Sequence, residues 1–231
     1  MKTIGLLGGM SWESTATYYR RVNELVKARL GGLHSAKIVL VSVDFHEVEG
    51  PMQEGDWDRV GASLALAARQ VRAGGAQCLL LCTNTMHRVA PAIEAAIDIP
   101  FLHIAEPTAR ALKQAGHTRI GLLGTRATME QAFYRDYLSS RGIEPLVPPP
   151  KDRDLVHRVI FEELCLGIVT EASRAEFRRV MADLAARGAQ AIVLGCTEIS
   201  LLVGAADSAL PLFDTTELHA RAAVDWALRP G

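Results

Sequence analysis

The chain has 231 residues, 49% apolar, 22% charged and 6% aromatic, enough for one large domain or two small ones with cores of their own. With 25 Lys and Arg against 26 Asp and Glu, the net charge is −1, which leaves no electrostatic footprint for nucleic acid or an anionic membrane surface. No apolar run approaches the roughly 20 residues that span a bilayer, the segment before Gly8 is too short for a signal peptide, and Cys78, Cys82, Cys165 and Cys196 show neither CxxC nor His–Cys metal spacing. Disulfide scaffolds and zinc ribbons are therefore excluded, no metal site is expected, and a reducing cytoplasm is the expected location.

In chain order, residues 4–7 read as a short apolar strand entering a glycine turn, and 14–27 as a helix. A β-branched strand over 37–43 precedes a polar segment, then a helix over 61–72, a strand over 77–82 and a short helix over 90–96. The stretch 142–154 holds Pro145, Pro148, Pro149 and Pro150 and reads as a strand end and loop, because proline interrupts both helices and central strands. A helix over 216–228 closes the chain. Strands alternating with helices predict an α/β fold with parallel sheets.

The two halves also match each other. Ile4-Gly5-Leu6-Leu7-Gly8 corresponds to Ile120-Gly121-Leu122-Leu123-Gly124, with Tyr18 and Tyr134 at the same offset. Gly75-Ala76-Gln77 corresponds to Gly188-Ala189-Gln190, each followed by an apolar run. An internal duplication predicts two pseudo-symmetric, open parallel-sheet lobes with a cleft between them at the strand ends. The expected division is 1–104 plus 215–231 for one lobe and 105–214 for the other.

Two polar turns follow the matched strands: Cys82-Thr83-Asn84-Thr85-Met86-His87 and Gly195-Cys196-Thr197-Glu198. Hydroxyls, an amide and backbone N–H groups at a strand-to-helix turn suit a carboxylate, and a thiol beside them can exchange a proton once ionised. The bland alternative makes Cys196 a small buried apolar residue and Thr197 a helix cap. Aligned without gaps from the Gly-Ala-Gln matches, Thr83 falls opposite Cys196 and Cys82 opposite Gly195. Since strand side chains alternate faces, this register turns Thr83 towards a ligand and Cys82 into the core. The glycines of 5–9 lack GxGxxG spacing and no Walker motif occurs. His34, His46, His103 and His157 read as structural or surface residues, Glu162-Glu163 as a solvated face, and His87 and Glu198 as either structural or orienting groups.

With these motifs in hand, the chain resembles the aspartate/glutamate racemase family, within the wider aspartate/glutamate/hydantoin racemase superfamily. The resemblance runs nearly full length, through Gly5-Leu6-Leu7-Gly8-Gly9-Met10-Ser11, Asn84-Thr85-x-His87, Leu122-Leu123-Gly124-Thr125 and Gly195-Cys196-Thr197-Glu198, with Phe161-Glu162-Glu163-Leu164-Cys165-Leu166-Gly167 pointing to a bacterial branch. It implies a two-lobed, commonly dimeric α/β enzyme that inverts an amino-acid α-carbon without pyridoxal phosphate or any other cofactor. Two facing cysteines serve there as base and acid. Carried onto this chain, Cys196 and Thr83 become the catalytic pair, and Met10, Ser11, Asn84, Thr85, Thr125, Thr197 and Glu198 the substrate-binding set, with His87 as an orienting group. The implied partners are a small amino-acid substrate and a second copy of the chain.

Three departures qualify that pattern. The first cysteine of the pair is replaced by Thr83, a much weaker base than a thiolate, with Cys82 one residue early. An arginine that some aspartate racemases carry after the second strand corresponds here to Val48-Glu49, and a lysine of theirs to Cys165; both of those cations grip a distal carboxylate. Their replacement admits less acidic substrates. Other reactions of the superfamily (maleate isomerisation, hydantoin racemisation, arylmalonate decarboxylation) and a non-catalytic amino-acid-binding role are the competing expectations.

Overall fold

A computed structural model describes residues 1–230 and divides the chain into two compact units, residues 1–104 with the chain from His219 onwards, and residues 105–218. The first unit runs β1 (Ile4–Gly8), α1 (Trp12–Leu30), β2 (Ile38–Ser42), α2 (Phe45–Glu54), α3 (Trp57–Ala73), β3 (Cys78–Leu81), a 3₁₀ turn at Thr85–Val89 and α4 (Ala90–Glu94). The second holds α5 (Ala105–Gln114), β4 (Arg119–Gly124), α6 (Arg126–Glu130), α7 (Ala132–Ser139), β5 (Glu144–Leu146), α8 (Pro150–Glu162), a 3₁₀ turn at Leu164–Leu166, α9 (Glu171–Ala186), β6 (Ala191–Gly195), α10 (Ile199–Leu202), a 3₁₀ turn at Ala205–Asp207 and β7 (Leu212–Asp214). The last helix, α11 (Thr215–Leu228), starts in the second unit and continues in the first. Among the described residues no helix is long and apolar enough to cross a membrane.

Every strand pair is parallel, and the strand orders are β2-β1-β3 and β5-β4-β6-β7. Phe101 bridges Leu79 on β3, so the first sheet also gains a contact where β7 lies in the second. β1, β3 and β6 are buried along their whole length, as expected for parallel strands covered on both faces. On one face of the first sheet Leu7, Leu79 and Leu81 pack with Val60, Leu64 and Val71. On the other, Leu6, Leu80 and Cys82 pack with Tyr18, Val22, Ala220 and Val224. The second unit gathers Leu123, Ile192, Leu194, Phe177, Val180 and Ile160 into one cluster.

The duplicated Gly-Ala-Gln does the same work twice. Gln77 Oε1 accepts a hydrogen bond from Thr3 N at 2.9 Å, and Gln190 Oε1 accepts from Thr118 N at 2.8 Å. Each ties the start of its strand to the residue ahead of the neighbouring central strand. Tyr18 and Tyr134 are both fully buried.

Two segments differ from the sequence expectation. The proline-rich stretch turns helical at Pro150, because a proline at the first helical position gives up only an N–H that would have no helical partner. Pro145 sits in β5, an edge strand, where proline is tolerated. The polar segment after β2 forms α2, started by Asp44, whose side chain accepts from His46 N at 3.0 Å.

Candidate functional site

In each unit the chain leaves the central strand to one side, then returns to form the strand on the other. Such a switch in direction leaves a crevice at the carboxyl ends of the two strands, where ligands bind in open α/β sheets. Those ends carry the candidate residues in both units.

In the first unit, β1 ends at Gly8 and turns at Gly9, whose φ of 100° suits glycine and whose missing side chain leaves room for the Val43 carbonyl. Gly9 N donates to Thr15 Oγ1 at 2.8 Å, and that hydroxyl donates to Ser11 O at 2.8 Å. Ser11 caps the 19-residue α1 by accepting from Ser14 N at 3.2 Å, and Met10 beside it is buried. This turn therefore starts a long helix, whose N-terminus favours negative charge.

At the end of β3, Cys82 is fully buried among Tyr18, Leu6 and Leu80, and burial pushes its thiol well up from the ordinary range. Its carbonyl accepts from Ser14 Oγ at 3.2 Å. Thr83, Asn84 and Thr85 follow, with Thr83 and Asn84 buried and Thr85 half-buried. His87 lies between two backbone groups, with Nδ1 2.7 Å from Thr83 O and Nε2 3.1 Å from Ile104 N. The carbonyl requires a donor and the N–H an acceptor, so Nδ1 carries the proton and the ring is neutral. Burial, together with His103 and His219, holds its pKa well below the ordinary histidine value. With both nitrogens engaged, His87 positions the Thr83 carbonyl and has no capacity left to shuttle protons.

In the second unit, β4 ends at Gly124 and is followed by Thr125, which caps α6 by accepting from Thr128 N at 3.3 Å and touches Thr128 Oγ1 at 3.2 Å. His157 takes up Arg126 N at 3.2 Å. On the paired strand β6, Gly195 packs so closely that a Cβ there would lie 2.9 Å from Leu123 O. A larger residue would push the following turn away from β4.

That turn holds Cys196, Thr197 and Glu198, all buried. Cys196 Sγ donates to Glu198 Oε2 at 3.0 Å. Burial first, then the Glu198 carboxylate and the nearby Cys165 thiol, push the Cys196 thiol well above its ordinary value; the Glu198 backbone N–H acts in the opposite direction by bonding to the sulfur. At rest Cys196 is thus a neutral thiol beside a carboxylate. Thr197 O accepts from Ser200 Oγ at 2.9 Å. Asp214, the last residue of β7, accepts from Thr216 N at 2.8 Å and Glu217 N at 3.2 Å, starting α11. Burial raises its pKa while those backbone bonds and the Ser200 hydroxyl favour its charge.

Met10, Ser11, Thr83, Asn84, Thr85 and His87 therefore gather at the ends of β1 and β3, and Thr125, Cys196, Thr197 and Glu198 at the ends of β4 and β6. Ser200 and Asp214 are contributors that sequence reading missed. A serine three residues after a threonine in an apolar stretch carries no motif, and the pairing of β7 beside β6 is a tertiary fact. Among the described residues, no three of His, Cys, Asp and Glu converge in a way that could hold a metal ion. A thiol and a carboxylate in buried contact can share one proton, and hence can present a sulfur base when that proton moves to the carboxylate.

Comparison with known proteins agrees with this architecture. A structure of a putative Asp/Glu racemase from Yersinia pestis is 56% identical, covering 99% of this chain and all (100%) of that one, with a TM-score of 0.94. An aspartate racemase homologue from Pyrococcus horikoshii is 28% identical over 99% of this chain and 100% of its own, with a TM-score of 0.88. Glutamate racemase of Thermus thermophilus matches at 29% identity over 68% of this chain and 57% of the relative, so the match spans little more than half of that curated protein. The model of the Asp/Glu/Hydantoin racemase family matches residues 7–223, from near the end of β1 into α11 and through both candidate turns. The chain belongs to that family.

Proposed function

We propose that the protein is a cofactor-independent amino-acid racemase in which Cys196 takes the substrate α-proton and Thr83 serves the opposite face of the α-carbon. The observation that carries this reading is the buried contact of 3.0 Å between Cys196 Sγ and Glu198 Oε2 at the end of β6. An α-proton is weakly acidic, so its removal needs a sulfur base together with donors that stabilise the charge developing on the substrate carboxylate.

The proton ledger is simple. Cys196 passes its proton to the Glu198 carboxylate, leaving a thiolate and a neutral acid with unchanged total charge. The thiolate then takes the α-proton. An S–H bond forms, the C–H bond breaks, and its electron pair delocalises into the substrate carboxylate. Thr83 donates its hydroxyl proton to the other face and recovers one from water, and Glu198 releases the proton it took to the hydroxide so formed, which restores every group to its starting state. Hydroxyls of Ser11, Thr85, Thr125 and Thr197, the Asn84 amide and backbone N–H groups beside Met10 are the groups assigned to the substrate.

Relatives named as an aspartate racemase homologue and a glutamate racemase support acidic amino acids as the substrate class. The residues at positions 48, 49 and 165 favour a wider range. Val48 is buried in the core, Glu49 bonds to Gln53 Nε2 at 2.9 Å, and Cys165 is a thiol, so none supplies a cation for a distal carboxylate.

The test follows deuterium incorporation and chirality together in D₂O, on L-aspartate, L-glutamate and a neutral amino acid. Cys196→Ser should lower α-proton exchange by about 10²-fold or more, and Thr83→Ala should spare exchange from the enantiomer whose α-proton faces Cys196 while suppressing inversion. If Thr83→Ala inverts as fast as wild type, Thr83 is not the second group. Saturable binding of these amino acids without exchange would replace the enzyme reading by a binding one.

A further inference from the structure

None of positions 48, 49 and 165 carries a cation, yet the first unit places one just beyond the end of β3. Arg88 belongs to the 3₁₀ turn Thr85–Val89, which follows directly on Thr83 and Asn84. Its guanidinium lies over the Trp57 ring, with Cζ 4.1 Å from the ring centroid. Arg88 and Trp57 are both half-buried. Among the described residues no carboxylate pairs with Arg88. Asp56, the neighbour of Trp57 in the chain, is turned to α3 instead, where it accepts from Arg59 N at 3.0 Å and caps the helix.

Two features set this cation at the ligand end of the sheet. A 3₁₀ turn has three residues per turn, so side chains three apart stand in one column. Met86 and Val89 form the column that enters the core, and Thr85 and Arg88 form a half-buried column beside it. Thr85, whose hydroxyl is assigned to the substrate, and Arg88 therefore start about 6 Å apart along the turn axis. Trp57 packs against the cluster that holds Met10 and Met86, which keeps its ring near the carboxyl ends of β1 and β3.

We propose that Arg88 is a specificity-determining residue of the candidate site: held on Trp57, it takes the side-chain carboxylate of an acidic amino acid whose reacting end lies at the Thr83-Asn84-Thr85 turn. The inference rests on the racemase reading for the reaction, but the preference it creates can also be read by binding alone.

The local physics favours this role. A ring face attracts a cation without neutralising it, so the charge is held in place and stays available. A stacked guanidinium keeps its N–H donors at its edge, where a carboxylate accepts two of them side by side. Partial burial weakens competition from water, so a carboxylate is favoured there over an amide of the same shape. The ring has already restricted the arginine stem, which lowers the ordering cost of binding.

The experiment compares L-aspartate with L-asparagine and L-glutamate with L-glutamine, pairs that differ in one charged group and hardly in shape. Arg88→Met keeps an apolar stem on Trp57 and removes the charge, whereas Arg88→Lys keeps the charge and loses the fork. Calorimetry gives Kd, and α-proton exchange in D₂O gives kcat/KM. Wild type should favour the better acid over its amide by about tenfold or more, and Arg88→Met should cut that preference about tenfold, mainly through KM. Arg88→Lys should restore part of it. A wild type that binds acid and amide alike, or binds neither, overturns the proposal, as does an unchanged preference in Arg88→Met. An equal loss on acid and amide also overturns it, because that is the result if Arg88 only clasps the turn to α3. If wild type exchanges no amino acid while calorimetry shows the preference and its loss, the racemase reading fails and the assignment of Arg88 stands.

Discussion

His219 offers a sharp test of how the first unit is held together. It lies on α11, fully buried, with Nδ1 2.8 Å from the Tyr18 hydroxyl and Nε2 2.6 Å from Leu102 O. The carbonyl needs a donor, so Nε2 carries the proton and Nδ1 accepts from Tyr18. Burial, with His103 adding to it, lowers the pKa of His219 to about 3, although the Leu102 carbonyl works the other way. A folded pKa below the unfolded value of about 6.5 means that the unfolded chain binds more protons as pH falls. Stability from this residue is therefore complete above pH 6.5 and lost as pH drops towards 3. The full difference of about 3.5 units corresponds to about 5 kcal/mol, and the portion lost between pH 7 and pH 5 is about 2 kcal/mol. In His219→Gln the amide can donate to Leu102 O and accept from Tyr18, but cannot titrate. Urea unfolding at pH 7, 6 and 5 gives the slope, and tryptophan fluorescence reads the first unit alone, since Trp12, Trp57 and Trp226 all lie in it. Whatever its stability at pH 7, His219→Gln should lose about 2 kcal/mol less than wild type on going to pH 5. His87 remains in both proteins, and since burial is the main cause of its lowered pKa it contributes nearly the same slope to each. Equal slopes in the two proteins would refute the assigned tautomer and its neutral state.

Two further outcomes follow from the second unit and from Cys82. Glu198→Gln should lower α-proton exchange by about 10²-fold while moving the Cys196 alkylation midpoint down, because it removes both the proton acceptor and a negative charge beside the sulfur; unchanged exchange, or a midpoint that moves up, would count against the shared-proton pair. Cys82→Ala should cost about 1–2 kcal/mol in urea unfolding through lost packing and leave exchange within about twofold of wild type; a loss of exchange as large as that in Cys196→Ser would make Cys82 the second acid–base group in place of Thr83.

The scaffold was legible because duplication leaves a signal that a single lobe does not. Gly-Ala-Gln occurs twice, and each glutamine makes the same bond to the residue before its neighbouring strand. The paired glycine turns likewise mark the ends of β1 and β4. Helix starts were less readable. Pro150 opens α8 although four prolines within a few residues argue for loop, because only its position relative to the helix end decides whether it breaks or begins one. The groups that hold the turns were the least readable. His219 sits in an Ala-rich helix 201 residues from Tyr18, and no local pattern announces a partner so far along the chain. Ser200 acts through a backbone carbonyl, which every residue possesses, so its contact leaves no trace in residue types.

The two units hold their turns by different chemistry, and the difference matches the groups they present. His87 grips the carbonyl of Thr83 itself. Ser200 donates to the carbonyl one residue beyond Cys196. In ungapped register Thr83 and Cys196 are counterparts, so the held peptide has shifted by one position between the units. A hydroxyl enters its step neutral and is reprotonated from water after it, whereas a buried thiol must already be an anion when it takes the α-proton. On the racemase reading, the protein thus keeps a tuned base in one unit and a plain donor in the other. Such asymmetry cannot make racemisation one-way, because enantiomers have equal free energy and kcat/KM must agree in the two directions. It has to appear in partition instead. The enantiomer whose α-proton faces Cys196 should give it up there and take back deuterium on the same face more often than it receives one from the slower hydroxyl, so its exchange should outrun its inversion.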